Sequence, residues 1–226
     1  MITLADIHRL FRSDEVETTA LQSIELSIDE GEFVAIMGPS GCGKSTLLNV
    51  MGMLDSPTAG SYNFNGHEVA GLAEAQLADT RKSNIGFIFQ SFNLVDELSV
   101  RENVELALLY HNIPGGERKS RVDRVLDKVG IAHRAKHRPT QLSGGQQQRV
   151  AVARALVGEP KLILADEPTG NLDTNHGEEV MKMLQTLNAQ GSTIVMVTHS
   201  PSHADYASRV VNMLDGRILQ ERRRAA

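Results

Sequence analysis

At 226 residues, with a formal net charge of -5 and a single cysteine, the chain is long enough for one large domain without covalent staples. One cysteine excludes an internal disulfide, and the acidic balance argues against nucleic acid as a general partner, which asks for a basic surface. No stretch approaches 18 consecutive apolar residues, so no bilayer-spanning helix is expected.

The first residues, Met1 to Asp6, carry neither a basic segment nor a long apolar core, so no signal peptide is expected. Ile2, Leu4 and Ile7 suggest a somewhat irregular strand before Phe11, and Ile24, Leu26 and Ile28 alternate with polar residues as a half-buried strand does. Glu32 to Met37 is an apolar strand. It leads into the glycine-rich string Gly38-Pro39-Ser40-Gly41-Cys42-Gly43-Lys44-Ser45-Thr46, and residues 45–51 read as the helix leading out. Ser61 to Gly66 reads as a strand ending in a turn, and Ile85 to Phe89 as a strand ending at Gln90. From 91 to 141 the pattern becomes helical, with Val122, Val125, Leu126 and Val129 on one face. Gln147 to Val157 reads as a further helix after Leu142-Ser143-Gly144-Gly145-Gln146. Leu162 to Ala165 and Thr193 to Val197 are short apolar runs suited to buried parallel strands, bridged by a crossover helix marked by Val180, Leu184 and Leu187. Two closing strands flank the turn at Asp215-Gly216, and Arg222 to Arg224 reads as a solvated tail. Strands alternating with helices predict an α/β fold with a parallel sheet, right-handed crossovers and an inserted helical part.

The chemistry follows from residue types. Gly38, Gly41 and Gly43 free the backbone to turn successive N–H groups inward as a phosphate nest at the positive end of a helix. Lys44 adds a full positive charge, the Ser45 hydroxyl suits Mg²⁺, and Thr46 would sit nearer an α-phosphate. Cys42 needs only to be small. Asp166 and Glu167 follow a buried strand at the edge where open α/β sheets bind ligands. Asp166 would hold the Mg²⁺ shell, and Glu167 would orient and deprotonate an attacking water. Gln90 and His199 also stand at strand ends, as a neutral oxygen donor and a γ-phosphate sensor respectively. His133/His137 and His199/His203 have metal-ligand spacing, but no third ligand accompanies either pair, and Pro201 interrupts any helix across the second.

Taken together, these residues resemble the ATP-binding subunits of ABC transporters over essentially the whole chain. The Walker A string 38–45, the Q-loop Gln90, the signature 142–146, the Walker B strand 162–166 with Glu167, the D-loop Asn171-Leu172-Asp173 and the switch His199 occur in that family's order. The resemblance implies a P-loop (RecA-like) parallel core with an N-terminal antiparallel β part. It divides one ABC ATPase domain, 1–226, into a catalytic core (1–90 and 151–226) and a helical subdomain at about 91–150. It implies ATP and Mg²⁺ as ligands, with Phe11 stacked on adenine. It also implies a head-to-tail dimer in which Ser143, Gly144, Gly145, Gln146 and Asp173 complete a site in the partner copy. Ser143 fits an N-cap there, and Gly144 and Gly145 open helix N-terminal amides to an anion.

The segments 53–60 and 165–173 look like the branch containing lipoprotein-releasing and macrolide-export ATPases. That implies a motor on the cytoplasmic face of the cell membrane, for export or for mechanotransmission. A separate transmembrane subunit would dock near Gln90, Phe92, Leu94 and Leu98. Alternatives are the ATPase of a binding-protein-dependent importer and, more remotely, a soluble ABC-type ATPase of DNA maintenance or translation. Residues 91–141 lack the sustained heptads or cysteine pair that the DNA-maintenance class carries.

Overall fold

The computed structural model describes residues 1–12, 17–111 and 113–223. The alternation of Ile2, Leu4 and Ile7 with polar neighbours builds β1 (Ile2–Arg12), irregular as its spacing predicts, with register shifts between Leu4 and Leu10. It pairs antiparallel with β2 (Glu17–Ile28) and β4 (Ala59–Phe64), and β4 pairs with the short β5 (His67–Glu68). The resulting four-stranded antiparallel sheet has the order β2-β1-β4-β5.

The apolar runs form a second sheet. Here β3 (Phe33–Met37), β6 (Ile85–Ile88), β7 (Leu162–Asp166), β8 (Thr193–Val197), β9 (Arg209–Leu214) and β10 (Arg217–Arg223) lie in the order β10-β9-β3-β8-β7-β6. All neighbouring pairs are parallel except β9 and β10. Because β3, β6, β7 and β8 run the same way, the segments following them emerge at one edge of the sheet. Arg222 and Arg223 belong to β10, paired with Val210 and Arg209, so they are strand residues rather than the expected solvated tail; Arg224 lies outside the described residues.

Seven α-helices complete the described chain: α1 (Lys44–Met51), α2 (Glu74–Asn84), α3 (Val100–Leu109), α4 (Gly115–Lys128), α5 (Gly144–Leu156), α6 (Thr174–Ala189) and α7 (Pro201–Ala204). The expected helical stretch 91–141 needs correction at both ends. Residues 91–99 form an extended loop, and two short 3₁₀ turns follow α4. Phe92 and Asn93 adopt positive φ, 57° and 50°, which no helix accommodates. The buried Asn103 side chain holds this loop, donating to the carbonyls of Val95, Leu98 and Ser99 and accepting from Val95 N–H at 2.8 Å.

Strand period divides the core into two clusters, one on each face of the parallel sheet. Phe33, Ala35, Ile163, Ala165, Ile194 and Met196 face α3 to α6, meeting Val104, Leu108, Leu126, Val150, Val180 and Leu184. Val34, Ile36, Leu162, Leu164, Val195 and Val197 face α1 and the antiparallel sheet, meeting Leu47, Leu48, Met51, Ile24, Leu26 and Tyr62. At roughly 1.5–3 kcal/mol for each large apolar side chain removed from water, burial on both faces explains why these strands carry almost no polar residues. Among the described residues no helix is long and apolar enough to cross a membrane.

Candidate functional site

The strand ends converge on a cleft of about 490 Å³, within the range of small-molecule sites. Thr18, Thr19 and Ala20 of β2 form one wall. Ser40, Gly41, Gly43, Lys44, Ser45 and Thr46 form the floor, and Gln90, Glu167, Val197 and His199 close the far side. The floor depends on Gly43, which caps α1 at φ 99°; a Cβ there would sit 2.5 Å from the Ala20 carbonyl. Only glycine fits that combination of positive φ and close backbone approach. The N-terminal amides of α1 therefore open onto the cleft.

Lys44 is buried except for its route into this space, and its ammonium donates to the carbonyls of Gly38 (2.9 Å) and Pro39 (2.8 Å). The loop thus holds its own cation across its mouth. Cys42 is buried beneath the loop beside Gly38, consistent with a side chain chosen for size.

Across the cleft, the Ser45 hydroxyl donates to Asp166 Oδ1 at 3.2 Å, joining α1 to the end of β7. Burial pushes the Asp166 carboxyl above the ordinary aspartate range, the Ser45 hydrogen bond opposes it, and the neighbouring Glu167 charge adds to the rise. Glu167 sits at φ 47°, a strained position for a non-glycine residue that its N–H bond to Val197 O (3.0 Å) helps to hold. Its carboxylate is mostly buried, and both oxygens lie 3.0 Å from Nδ1 of the exposed His199 ring.

Gln90 is tied to the same side. Its Nε2 donates to Asn171 Oδ1 at 3.3 Å, and Asn171 Nδ2 donates back to Gln90 O at 3.0 Å. Asp173 N-caps α6, accepting from His176 N–H at 3.0 Å, and its other oxygen meets His176 Nδ1 at 2.6 Å. These bonds from His176 hold the Asp173 carboxyl below its ordinary pKa.

Ser143 caps α5, accepting from Gln146 N–H at 3.3 Å while Gln146 returns a bond to Ser143 N–H. The helix begins at Gly144, three residues earlier than its hydrophobic pattern announces. Gly145 packs against the His176 ring so closely that a Cβ would lie 2.5 Å from it. Sequence reading passed over His176, because nothing local marks a histidine one turn into a helix as the neighbour of a glycine about thirty positions upstream.

Phe11 is exposed at 43%. It pairs across the sheet with Thr18, which lines the cleft, and the Arg9 guanidinium lies 4.5 Å from its ring centroid. Arg9 is in turn ion-paired with Asp55 at 2.8 Å. Of the residues considered for docking, Leu94 is half-buried against the core rather than free, and Arg154 donates to the carbonyls of Phe92 and Asn93. His199 precedes α7 and His203 lies within it, so the pair has no common helical face, and no three-residue metal cluster exists among the described residues.

The family model for ABC transporters matches residues 21–170. The chain is 50% identical to the macrolide export ATP-binding/permease protein MacB of Azoarcus sp. over 98% of its own length and 34% of that protein. It is 49% identical to the ABC transporter ATP-binding protein YknY of Bacillus subtilis, over 97% of this chain and 95% of YknY. It thus spans about a third of the macrolide-export relative and nearly all of YknY. Among solved structures, a dimeric form of MJ0796, a bacterial ABC transporter cassette, superposes with a TM-score of 0.91 at 43% identity, covering 99% of this chain and 98% of that one. A post-hydrolysis state of MJ0796 bound to ADP and Pi gives 0.90 at 42% identity, covering 99% and 98%. With its phosphate-nest cleft in place, the chain belongs to the ABC transporter family as an ATP-binding cassette with ATPase chemistry.

Proposed function

We propose that this cassette is the ATP-hydrolysing motor of a membrane export or mechanotransmission system, working as a head-to-tail dimer on the cytoplasmic face of the membrane. One observation carries the reading: Lys44, Ser45, Gln90, Glu167 and His199, scattered over some 155 positions of sequence, line a single cleft. Glu167 is the general base. It is held at a strained position beside His199, with its carboxylate mostly buried at the wall of the cleft. His199 orients Glu167 and senses the terminal phosphate. Gly38 to Thr46 cradle the phosphates, Lys44 releasing its two carbonyl partners to meet them, and Phe11 stacks on the base.

Ser45, Asp166 and Gln90 offer the hard oxygen donors that Mg²⁺ takes, and a cation beside Asp166 would offset the burial that raises its pKa. When bound, Mg²⁺ neutralises charge on the transferring phosphate. Residues 1–90 and 151–226 act as the catalytic core, and about 91–150 as the helical subdomain that presents Ser143, Gly144, Gly145 and Gln146, with Asp173 beside them, to the partner copy's nucleotide.

A transmembrane component completes the machine. The segment after Gln90, where Phe92, Leu94 and Leu98 are all half-buried and Val95 is exposed, is one docking surface for it. A second open surface is a groove whose apolar lining is Leu54, Ile85, Phe87, Ala107 and Tyr110, with Asp79, Arg81 and Lys82 along it. A cytoplasmic helix of the membrane subunit fits that groove. The macrolide-export relatives, joined in one polypeptide named for both ATP binding and permease, favour an export-type partner.

Replacing Glu167 with Gln keeps shape but removes basicity. Hydrolysis should fall by about 10²- to 10⁴-fold, the span of general base catalysis, while ATP binding persists. Gel filtration with ATP should then show a trapped dimer. Wild-type turnover in that variant would exclude Glu167 as the base.

A further inference from the structure

The segment carrying His199 touches the loop carrying Glu167 at three successive points. The first is backbone, Glu167 N–H to Val197 O at 3.0 Å. The middle one is the reactive pair, His199 Nδ1 against both Glu167 oxygens at 3.0 Å. The third lies deeper: Nδ1 of His203 is 2.9 Å from the Thr169 hydroxyl. Two links therefore bracket the pair that does chemistry.

The third link is built to hold. Thr169 is 7% exposed and packs against Gly177, where a Cβ would stand only 3.6 Å from the threonine Cβ. Next to it, the Pro168 carbonyl accepts from the buried Gln148 side chain at 2.6 Å, which ties the same loop to α5. His203 sits in α7, whose first turn is fixed by Ser200: its oxygen accepts from His203 N–H at 3.4 Å. Burial lowers the basicity of His203, against the opposing charges of Glu167 and Glu178. Ala204 and Ala207 anchor α7 and its end in the core, and the His203–Thr169 bond fixes this anchored helix against the loop that carries Glu167.

We infer that His203 is a positioning residue for hydrolysis, setting through Thr169 the distance at which His199 meets Glu167. The inference rests on the assignment of Glu167 as the base. His203 does not line the cleft, so it should govern the chemical step and leave nucleotide capture alone.

The full-length protein tests this with Mg-ATP as substrate. His203→Ala and Thr169→Val should each lower kcat by about tenfold, an order less than the roughly 100-fold that a 1 Å misplacement costs, with KM within twofold. The double variant should lose no more than either single one, because both remove the same bond. His203→Asn, which places a nitrogen where Nδ1 stands, and Thr169→Ser, which keeps the hydroxyl, should restore most of kcat. Additive losses overturn the inference, as does a lowered melting temperature with unchanged kcat, or loss in Asn and Ser variants equal to that in Ala and Val. Glu167→Gln measured in parallel separates the two readings. If it is inactive while His203→Ala keeps full kcat, only the positioning role fails; if it retains turnover, the catalytic assignment fails and this role with it.

Discussion

The phosphate cleft and the groove beside β6 are neighbours built on opposite terms. In the cleft nearly every functional group already has a partner: Lys44 on two carbonyls, Ser45 on Asp166, His199 on Glu167, Gln90 on Asn171. In the groove the charged groups, Asp79, Arg81 and Lys82, pair among themselves and with Glu74, and the rest of the lining is apolar. Tyr110 is 79% exposed and Leu54 47%, around the stacked rings of Phe87 and Phe89. A site of preset polar groups suits a small anion, since fixed dipoles need little reorganisation when charge arrives. An apolar trough of about 520 Å³ suits a partner's side chains. Both draw on β6 and the residues just past it, where Phe87 lines the groove and Gln90 the cleft.

That junction is the place to break the comparison, and it carries the largest expected effect. Asn103 makes four hydrogen bonds to the loop 95–99 that follows Gln90. At about 1 kcal/mol for each bond, Asn103→Ala should destabilise the chain by roughly 2–4 kcal/mol. With 2–4 °C per kcal/mol for a chain of this size, the melting temperature should fall by about 4–16 °C. Calorimetry reads this directly. A shift under 2 °C would mean the loop is held by its packing and not by Asn103.

Lys44→Ala comes next and confines the damage to the cleft. A charge-assisted contact to phosphate contributes roughly 1.5–3 kcal/mol, so ATP affinity should weaken by about 10- to 100-fold. The melting temperature should fall less than in Asn103→Ala, by about 2–8 °C, because Lys44 donates to two loop carbonyls rather than sharing in four bonds. Titration of a fluorescent ATP analogue checks the affinity, and unchanged binding would place the nucleotide elsewhere.

Phe11→Ala is smaller. Stacking on a base contributes roughly 1–3 kcal/mol, and Phe11 is half-exposed, so a loss of about tenfold in affinity is expected. Phe11→Tyr should keep it. Arg9, anchored by Asp55, backs the Phe11 ring, and Arg9→Ala should reproduce part of the loss. Equal affinity for all three variants would remove Phe11 from the base site.

The contrast also explains what the sequence could disclose. Strands β3, β7 and β8 are legible because burial on both faces leaves continuous apolar runs, and the cleft floor is legible because only a glycine-rich string can take its backbone shape. Helix α2 was missed: its residues are mostly polar and only Leu77 is buried, so no period marks it. The stretch 91–99 looked helical because Phe92, Leu94, Val95 and Leu98 are apolar without alternation. What fixes it instead is one buried asparagine bonded to backbone, a pairing that no side-chain pattern records. His176 and His203 were out of reach for a similar reason, since each acts on a residue about thirty positions away that only folding brings near.

The smallest expected effect on the nucleotide cycle belongs to the groove. Tyr110 follows α3 and is almost wholly exposed, with no hydrogen bond to the cleft, so Tyr110→Glu should leave ATP affinity and the hydrolysis rate of the isolated cassette within twofold. It should also leave the melting temperature nearly unchanged, unlike a charge at the half-buried Leu94, which would disturb the helical layer itself. What should change is assembly. A carboxylate at the rim of an apolar trough must be desolvated when a partner helix enters, and its loss of hydration has no cation to compensate it unless Arg81 or Lys82 swings across. Co-purification with the membrane subunit should therefore fall sharply, and Tyr110→Phe should restore it. If Tyr110→Glu assembles and couples normally, the partner seats on another face and the groove is an ordinary surface depression. If it loses ATPase activity in isolation, the two regions are not separable in the way their construction implies.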